Sequence, residues 1–252
     1  MVFTFIAMPS FAQISADGVW LHIPKTKNRQ ALYYYNNGLK LFKKTRQKEA
    51  LVQLDQAIKL DPACAEFYFK RGETLLDLDK LGEAYNDFTK CVSLEPRNYV
   101  AFKRRSRVHY ERGKVAESIA DLQRAENVCT NKIDRAEIIK QQAKMHATLN
   151  QHSLAIGALT RTLALERSAN AFLIRANQYM KMREYKKAIA DYSAAIDLNE
   201  PKYQDRLFSM RADAYEKIGR FDLAKKDRKS AKALVDDSWG GVLQDMDKQT
   251  KL

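Results

Sequence analysis

The sequence predicts an all-α fold, a solenoid of antiparallel helix pairs, and three observations carry this expectation. Only 9 glycines and 5 prolines occur in 252 residues. That is few for a fold rich in tight turns, and the dominant residues (Ala, Leu, Lys, Arg, Glu, Gln) are good helix formers. Apolar residues recur at i, i+3, i+4 and i+7 in short runs separated by turn-prone stretches, the period of amphipathic helices. The same small and apolar residues return about every 34 positions from residue 31 onward, the signature of a repeat architecture.

The units follow in order. Gly38, Ala50, Leu54, Ala57 and Pro62 are answered 34 positions later by Gly72, Ala84, Phe88, Cys91 and Pro96, then by Ser106, Ser118, Leu122 and Ala125. Weaker copies follow as Ala143, Ala155, Leu159 and Thr162; Ala176, Ala188, Tyr192 and Ala195; and Ala212, Ala224, Arg228 and Ala231. Six units therefore begin near residues 31, 65, 99, 136, 169 and 205, and the array covers 31–238. Counting places from the first residue of each unit, places 4, 7, 8 and 11 form one helical stripe, and places 20, 24 and 27 form a stripe on a second helix. Small residues at places 8, 20 and 27 let the two helices approach closely. Turn-prone stretches such as Arg112-Gly113-Lys114 and Ile218-Gly219-Arg220 lie between them. One unit cannot bury its apolar surface alone, so neighbours must stack.

These residues closely resemble the tetratricopeptide repeat family, whose pattern has aromatics at places 4, 11 and 24, small residues at 8, 20 and 27, and Pro at 32. Place 4 here is Tyr34, Tyr68, Phe102, Ile139, Phe172 and Phe208; place 11 is Leu41, Leu75, His109, His146, Tyr179 and Tyr215. Arg228 departs from the aromatic at place 24, and the third and fourth units lack Pro at 32. The resemblance implies a right-handed superhelical solenoid with a concave face lined by the first helices, and a role in binding proteins.

A second pattern runs inside the units. Place 7 is Arg71, Arg105, Arg175 and Arg211 in repeats 2, 3, 5 and 6, and place 23 in the same repeats is Asp87, Asp121, Asp191 and Asp227. Repeats 1 and 4 have neither, carrying Asn37 and Gln142 at place 7 and Gln53 and Ala158 at place 23. Joint presence or absence predicts a bidentate Arg–Asp bridge between the two helices of those four units.

Catalysis has little support. No HExxH, nucleophile elbow, P-loop or GxGxxG is present. Of the four histidines, His109 and His146 occupy place 11 and are expected as packed rings with one satisfied nitrogen rather than metal ligands. Cys64, Cys91 and Cys129 are too widely spaced for a zinc knuckle or a CxxC pair and are expected as buried small hydrophobes. Asp77 with Asp79 reads as a solvated pair near a turn. The reading is a non-enzymatic protein with no cofactor and no metal.

The ends are separate. Residues 1–12 are read as a signal-peptide remnant, because the apolar stretch Val2 to Met8 is followed by small residues at Ser10 and Ala12. That favours export over a cytoplasmic location, although no Lys or Arg precedes the stretch. Residues 13–30 are expected as a linker or N-terminal cap. Trp239, Leu243 and Met246 recur at i, i+4 and i+7, so 239–252 is expected as a C-terminal capping helix.

Partner expectations come from charge and place. The net charge of +13 favours acidic partners. Places 2, 5, 6, 9, 12 and 13 lie opposite the packing stripe of each first helix, and the resemblance puts them on the concave face. The expected groove has cations at its centre in repeats 3 and 4 (Lys103, Arg104, Arg107, Lys140, Lys144), Lys70 in repeat 2, apolar surface on either side (Tyr35, Phe42, Phe69, Leu173, Met180) and Asn177. An extended or helical peptide with acidic residues flanked by hydrophobic ones fits that pattern. The alternative is a basic solenoid that binds nucleic acid. Its base-per-repeat readers need regular residues at fixed places, and none are seen here. Nor does any three-repeat register carry the Lys and Asn set by which family members clamp a carboxy-terminal carboxylate. Repeats 1 to 3, for example, offer Tyr35, Leu39, Lys70, Val100 and Arg104.

Overall fold

The computed structural model describes residues 24–249 and the short paired segments Gln13–Ile14 and Trp20–Leu21, with side chains described for residues 24–235. The expected signal remnant at 1–12 lies outside the described residues. So do the side chains of the stripe Trp239, Leu243 and Met246.

The chain divides into two compact units, Met1–Val128 and Cys129–Leu252. The first holds three helix pairs: α1 (Arg29–Lys43) with α2 (Gln47–Leu60), α3 (Ala65–Asp77) with α4 (Leu81–Leu94), and α5 (Tyr99–Glu111) with α6 (Val115–Val128). The second holds α7 (Lys132–Thr148) with α8 (His152–Leu165), α9 (Ala169–Lys181) with α10 (Tyr185–Asp197), and α11 (Gln204–Lys217) with α12 (Phe221–Gln249). In each unit the partners of a pair pack on each other, and the second helix of one pair packs on the first helix of the next. This is the predicted all-α solenoid of helix pairs, with six pairs in the predicted phase.

Local chemistry sets the helix ends. Asn28, Asn98, Asn131 and Ser168 cap α1, α5, α7 and α9 by accepting from backbone amides of the first turn. The first helix of every pair ends on a left-handed residue at place 15. These are Thr45, Asp79, Asn150 and Arg183, with φ of 57, 56, 58 and 60°, and Gly113 and Gly219, each at 74°. Place 15 reverses the chain and lets the next amide reach back to the helix, as from Arg46 to the Leu41 carbonyl at 3.0 Å. Only glycine adopts that φ without a Cβ penalty, so Thr45 and Arg183 hold it under strain.

Small residues at place 8 set how closely the helices of a pair approach. A Cβ on Gly72 would fall 2.9 Å from the Phe88 ring, and one on Gly38 would fall 3.0 Å from Leu54. In the third pair the same crossing is polar: the hydroxyls of Ser106 and Ser118 meet at 2.8 Å inside the core. The three cysteines are free and buried, as expected. Burial pushes the Cys64 thiol up to about 11, so it stays protonated and unreactive.

Both ends make contacts or continue elements beyond the repeat pattern. Residues 24–28 dock on the first unit. Thr26 donates to Asp61 at 2.6 Å, the Asn28 amide donates to the Leu60 carbonyl at 3.1 Å, and Lys25 pairs with Glu95 at 3.0 Å. At the other end the expected capping segment continues α12, which runs unbroken for 29 residues. Arg228, which departs from the aromatic at place 24, is half-exposed and bonded to Asp213 at 3.0 Å and Glu216 at 2.8 Å of α11. Among the described residues, no helix is long and apolar enough to cross a membrane.

Candidate functional site: the face of the first helices

All four predicted Arg–Asp bridges are present. Nε and Nη2 of Arg71, Arg105, Arg175 and Arg211 donate to the two oxygens of Asp87, Asp121, Asp191 and Asp227, at 2.6 to 2.9 Å. The sequence reading missed the third arm. Nη1 of each arginine reaches back to place 25 of the preceding repeat: Asp55 at 2.7 Å, Thr89 at 3.4 Å, Thr160 at 3.0 Å and Ser193 at 2.9 Å. The signal was available, since these four place-25 residues all carry a side-chain oxygen. Each arginine thus ties three helices, fixing both the pair and its stacking on the previous pair. The acids are nearly fully buried, so the bridges act by holding geometry more than by adding stability.

In the first unit α1, α3 and α5 approach one another and form one face. The floor of that face is partly closed. Tyr35 and Phe69 are each 3% exposed, which corrects the expectation that they offer apolar surface. Tyr35 packs its ring against Phe67 with centroids 5.2 Å apart, and Phe69 packs against Phe88 at 5.8 Å. In these two repeats place 5 therefore serves the core. The Tyr35 hydroxyl donates to Glu66 at 2.9 Å, and Glu66 is itself buried. Burial pushes the Glu66 carboxyl up to about 8, against the opposing pull of Lys70 and of the Tyr35 hydrogen bond. At neutral pH this carboxyl holds a proton and contributes no negative charge to the face.

The cations above this floor are partly matched. Lys70 and Arg104 converge on one carboxylate, Glu73, at 2.9 and 2.8 Å. Arg107 pairs with Glu111 at 2.7 Å. Lys103 is half-buried, with no acidic partner within ion-pair distance among the described residues. Phe42 remains half-buried and is the apolar residue this face retains from the predicted set.

In the second unit the corresponding residues lie on α7 and α9. Leu173 is buried in the core with Phe172, Ala176 and Tyr192, a further correction to the predicted apolar lining. Met180 is half-buried at the edge of the same core. Lys140 pairs with Glu137, while Lys144 is exposed. Asn177 is held by the Tyr192 hydroxyl, which donates to its Oδ1 at 2.7 Å and leaves the amide Nδ2 as the donor for another group.

The histidines divide. His146 Nδ1 meets Gln151 at 2.8 Å and His152 Nδ1 meets Gln178 at 2.9 Å. His109 is buried against the Tyr85 ring at 5.1 Å, but its Nδ1 has no hydrogen-bond partner and its Nε2 stands 3.8 Å from Asp121. The ring is packed as expected, with Nε2 turned toward the Asp121 carboxylate and Nδ1 without a partner. Burial holds its imidazole below the usual value. Among the described residues, no cluster of three or more His, Cys, Asp or Glu side chains could hold a metal ion.

Stacked helix pairs with small residues at their crossings define a helical-repeat protein. Residues 38–79 match the TPR repeat model, and residues 65–98 and 169–202 match the tetratricopeptide repeat model. The chain thus carries tetratricopeptide repeats within residues 38–98 and 169–202. The human mitochondrial import receptor subunit TOM70 is 25% identical over 263 residues, 88% of this chain and 43% of the receptor. The mouse DnaJ homolog subfamily C member 3 is 24% identical over 188 residues, 70% of this chain and 37% of that protein. The chain thus spans under half the length of both relatives. Among solved structures, MamA superposes with a TM-score of 0.60 at 23% identity, over 67% of this chain and 96% of that one. YrrB, described as a TPR protein with an unusual peptide-binding site, gives 0.59 at 15% identity, over 72% and 91%. At these identities the superpositions show the fold.

Proposed function

We propose that the protein is a non-enzymatic scaffold whose first-helix faces bind a partner segment carrying acidic residues beside apolar ones. The repeat resemblance implies a protein-binding role, and the similar YrrB is described as having a peptide-binding site. The acidic preference rests on one observation. On the face of α3 and α5 the cations Lys70, Lys103, Arg104 and Arg107 outnumber the carboxylates Glu66, Glu73 and Glu111, and Glu66 is buried in the floor.

Glu73 matters to the mechanism. It already occupies the point where Lys70 and Arg104 converge, and so marks the place where an incoming carboxylate would be received. An acidic side chain of the partner shares or replaces that contact, while Lys103 supplies long-range attraction and raises the association rate. On the second unit Lys144, Asn177 and Met180 offer a charge, an amide donor and apolar surface to the same kind of segment.

Affinity capture from the source cell tests this reading. Wild-type protein and a Lys103→Glu, Arg107→Glu, Lys144→Glu variant are used side by side. A partner retained by the wild type and lost from the variant supports it. Equal recovery on both, or recovery of nuclease-sensitive material alone, refutes it.

A further inference from the structure

The junction between the first two repeats has a cavity where later junctions have rings. Place 11 carries a ring in repeats 3 to 6 (His109, His146, Tyr179, Tyr215) but Leu75 in repeat 2. Place 21 of the preceding repeat is Tyr85 ahead of His109, but Leu51 ahead of Leu75. In repeat 3 the two rings meet edge to face, 5.1 Å apart. In repeat 6 the guanidinium of Arg211 lies over two rings, Phe208 at 5.5 Å and Tyr215 at 5.8 Å. In repeat 2 Arg71 has the first of these rings, Tyr68 at 5.7 Å, and no counterpart of the second.

The two leucines leave a cavity of about 220 Å³ among α2, α3 and α4. Leu51 and Leu75 supply its apolar walls, and Arg71 lines it with its ion partners Asp55 and Asp87. Glu83 and Asn86 complete the lining from α4. Asp55 gives one oxygen to Arg71 and remains half-exposed, and Glu83 is exposed.

We propose that this cavity receives one donor-bearing aromatic side chain, tyrosine or tryptophan, presented by a partner protein. The chain's own later repeats show how a ring is held beside this arginine. The walls bury the ring, the uncovered side of the guanidinium stacks on it, and Asp55 or Glu83 accepts the hydroxyl or indole N–H. Asp55, Glu83 and Asp87 outnumber the single guanidinium of Arg71 and repel an anion, and tighter binding of an alkylammonium probe than of the aromatic ones would count against the proposal. A phenylalanine ring leaves the carboxylates without a donor. This site is separate from the first-helix face and does not depend on the acidic preference proposed for it.

The test uses the full chain and three small probes: N-acetyl-tyrosinamide, N-acetyl-tryptophanamide and N-acetyl-phenylalaninamide. The methyl resonances of Leu51 and Leu75 are followed by NMR. Saturable shifts in the millimolar range are expected for the tyrosine and tryptophan probes, with the phenylalanine probe weaker by about threefold or more. Leu75→Tyr restores the family's ring and should abolish the shifts. Leu51→Tyr, which copies Tyr85 at a half-buried position, should do the same and serves if Leu75→Tyr disturbs the fold. No shift up to the solubility limit, or shifts that survive a folded filling variant, would overturn the proposal.

Discussion

Arg105 and Asp121 share two hydrogen bonds of 2.7 Å each across the helices of the third repeat, Nε to Oδ2 and Nη2 to Oδ1. Both are nearly fully buried, so removing one partner leaves an uncompensated charge inside the stack. Asp121→Ala is expected to cost about 3–5 kcal/mol. Replacing both, as Arg105→Met with Asp121→Leu, should recover most of that loss. Urea unfolding of Arg105→Met, Asp121→Leu and the double variant, beside Asp121→Ala, checks the cycle. Equal loss in the single and double variants would show that the pair contributes attraction rather than relief of a buried charge.

The place-15 turns give a prediction of opposite sign. Thr45 and Arg183 hold φ of 57° and 60°, where Gly113 and Gly219 stand in other repeats. Thr45→Gly and Arg183→Gly should each stabilise by roughly 0.5–1 kcal/mol, with Thr45 the larger because it is β-branched. Asn150→Gly should gain less, since asparagine tolerates this region. Chemical denaturation of the three variants orders them. A loss of stability in Thr45→Gly would contradict the strain argument.

Glu66 makes stability depend on pH. Its carboxyl is pushed from 4.5 to about 8 in the folded chain. Between those values the folded protein keeps a proton that the unfolded chain releases, so stability falls as pH rises. The contribution is whole below about 4.5 and gone above about 8. Tyr35, Lys70, Glu73 and Glu95 are the charged and titratable groups facing it. Glu66→Gln removes this slope and should be the more stable form at pH 8. Parallel unfolding midpoints for wild type and variant from about pH 5 to about 8 would contradict the assignment.

The fold was legible because small residues at places 8, 20 and 27 can serve only a close helix crossing, and six copies fixed the phase. The bridges were legible because Arg and Asp occur together or not at all. The site was less so. A helical wheel places Tyr35, Phe69 and Leu173 opposite the packing stripe, yet all three are buried. A first helix in a stack is contacted on more than one side. Phe67 of the next repeat covers Tyr35, and Phe88 of its own second helix reaches Phe69. The wheel has one inside and one outside and cannot show this. Nor could it show Glu73 standing between Lys70 and Arg104, since those three residues come from two helices.

Fluorescence anisotropy tests the central claim most directly. A labelled peptide with two glutamates flanked by leucine and phenylalanine is titrated with the protein at low and moderate salt. The same peptide with lysines replacing the glutamates, and a single-stranded RNA, are run alongside. The acidic peptide is predicted to bind tightest, to weaken moderately with salt, and to lose about tenfold or more on Lys103→Glu with Arg107→Glu. Tighter binding of the lysine peptide or the RNA, or an affinity unchanged by the charge reversal, would contradict the account.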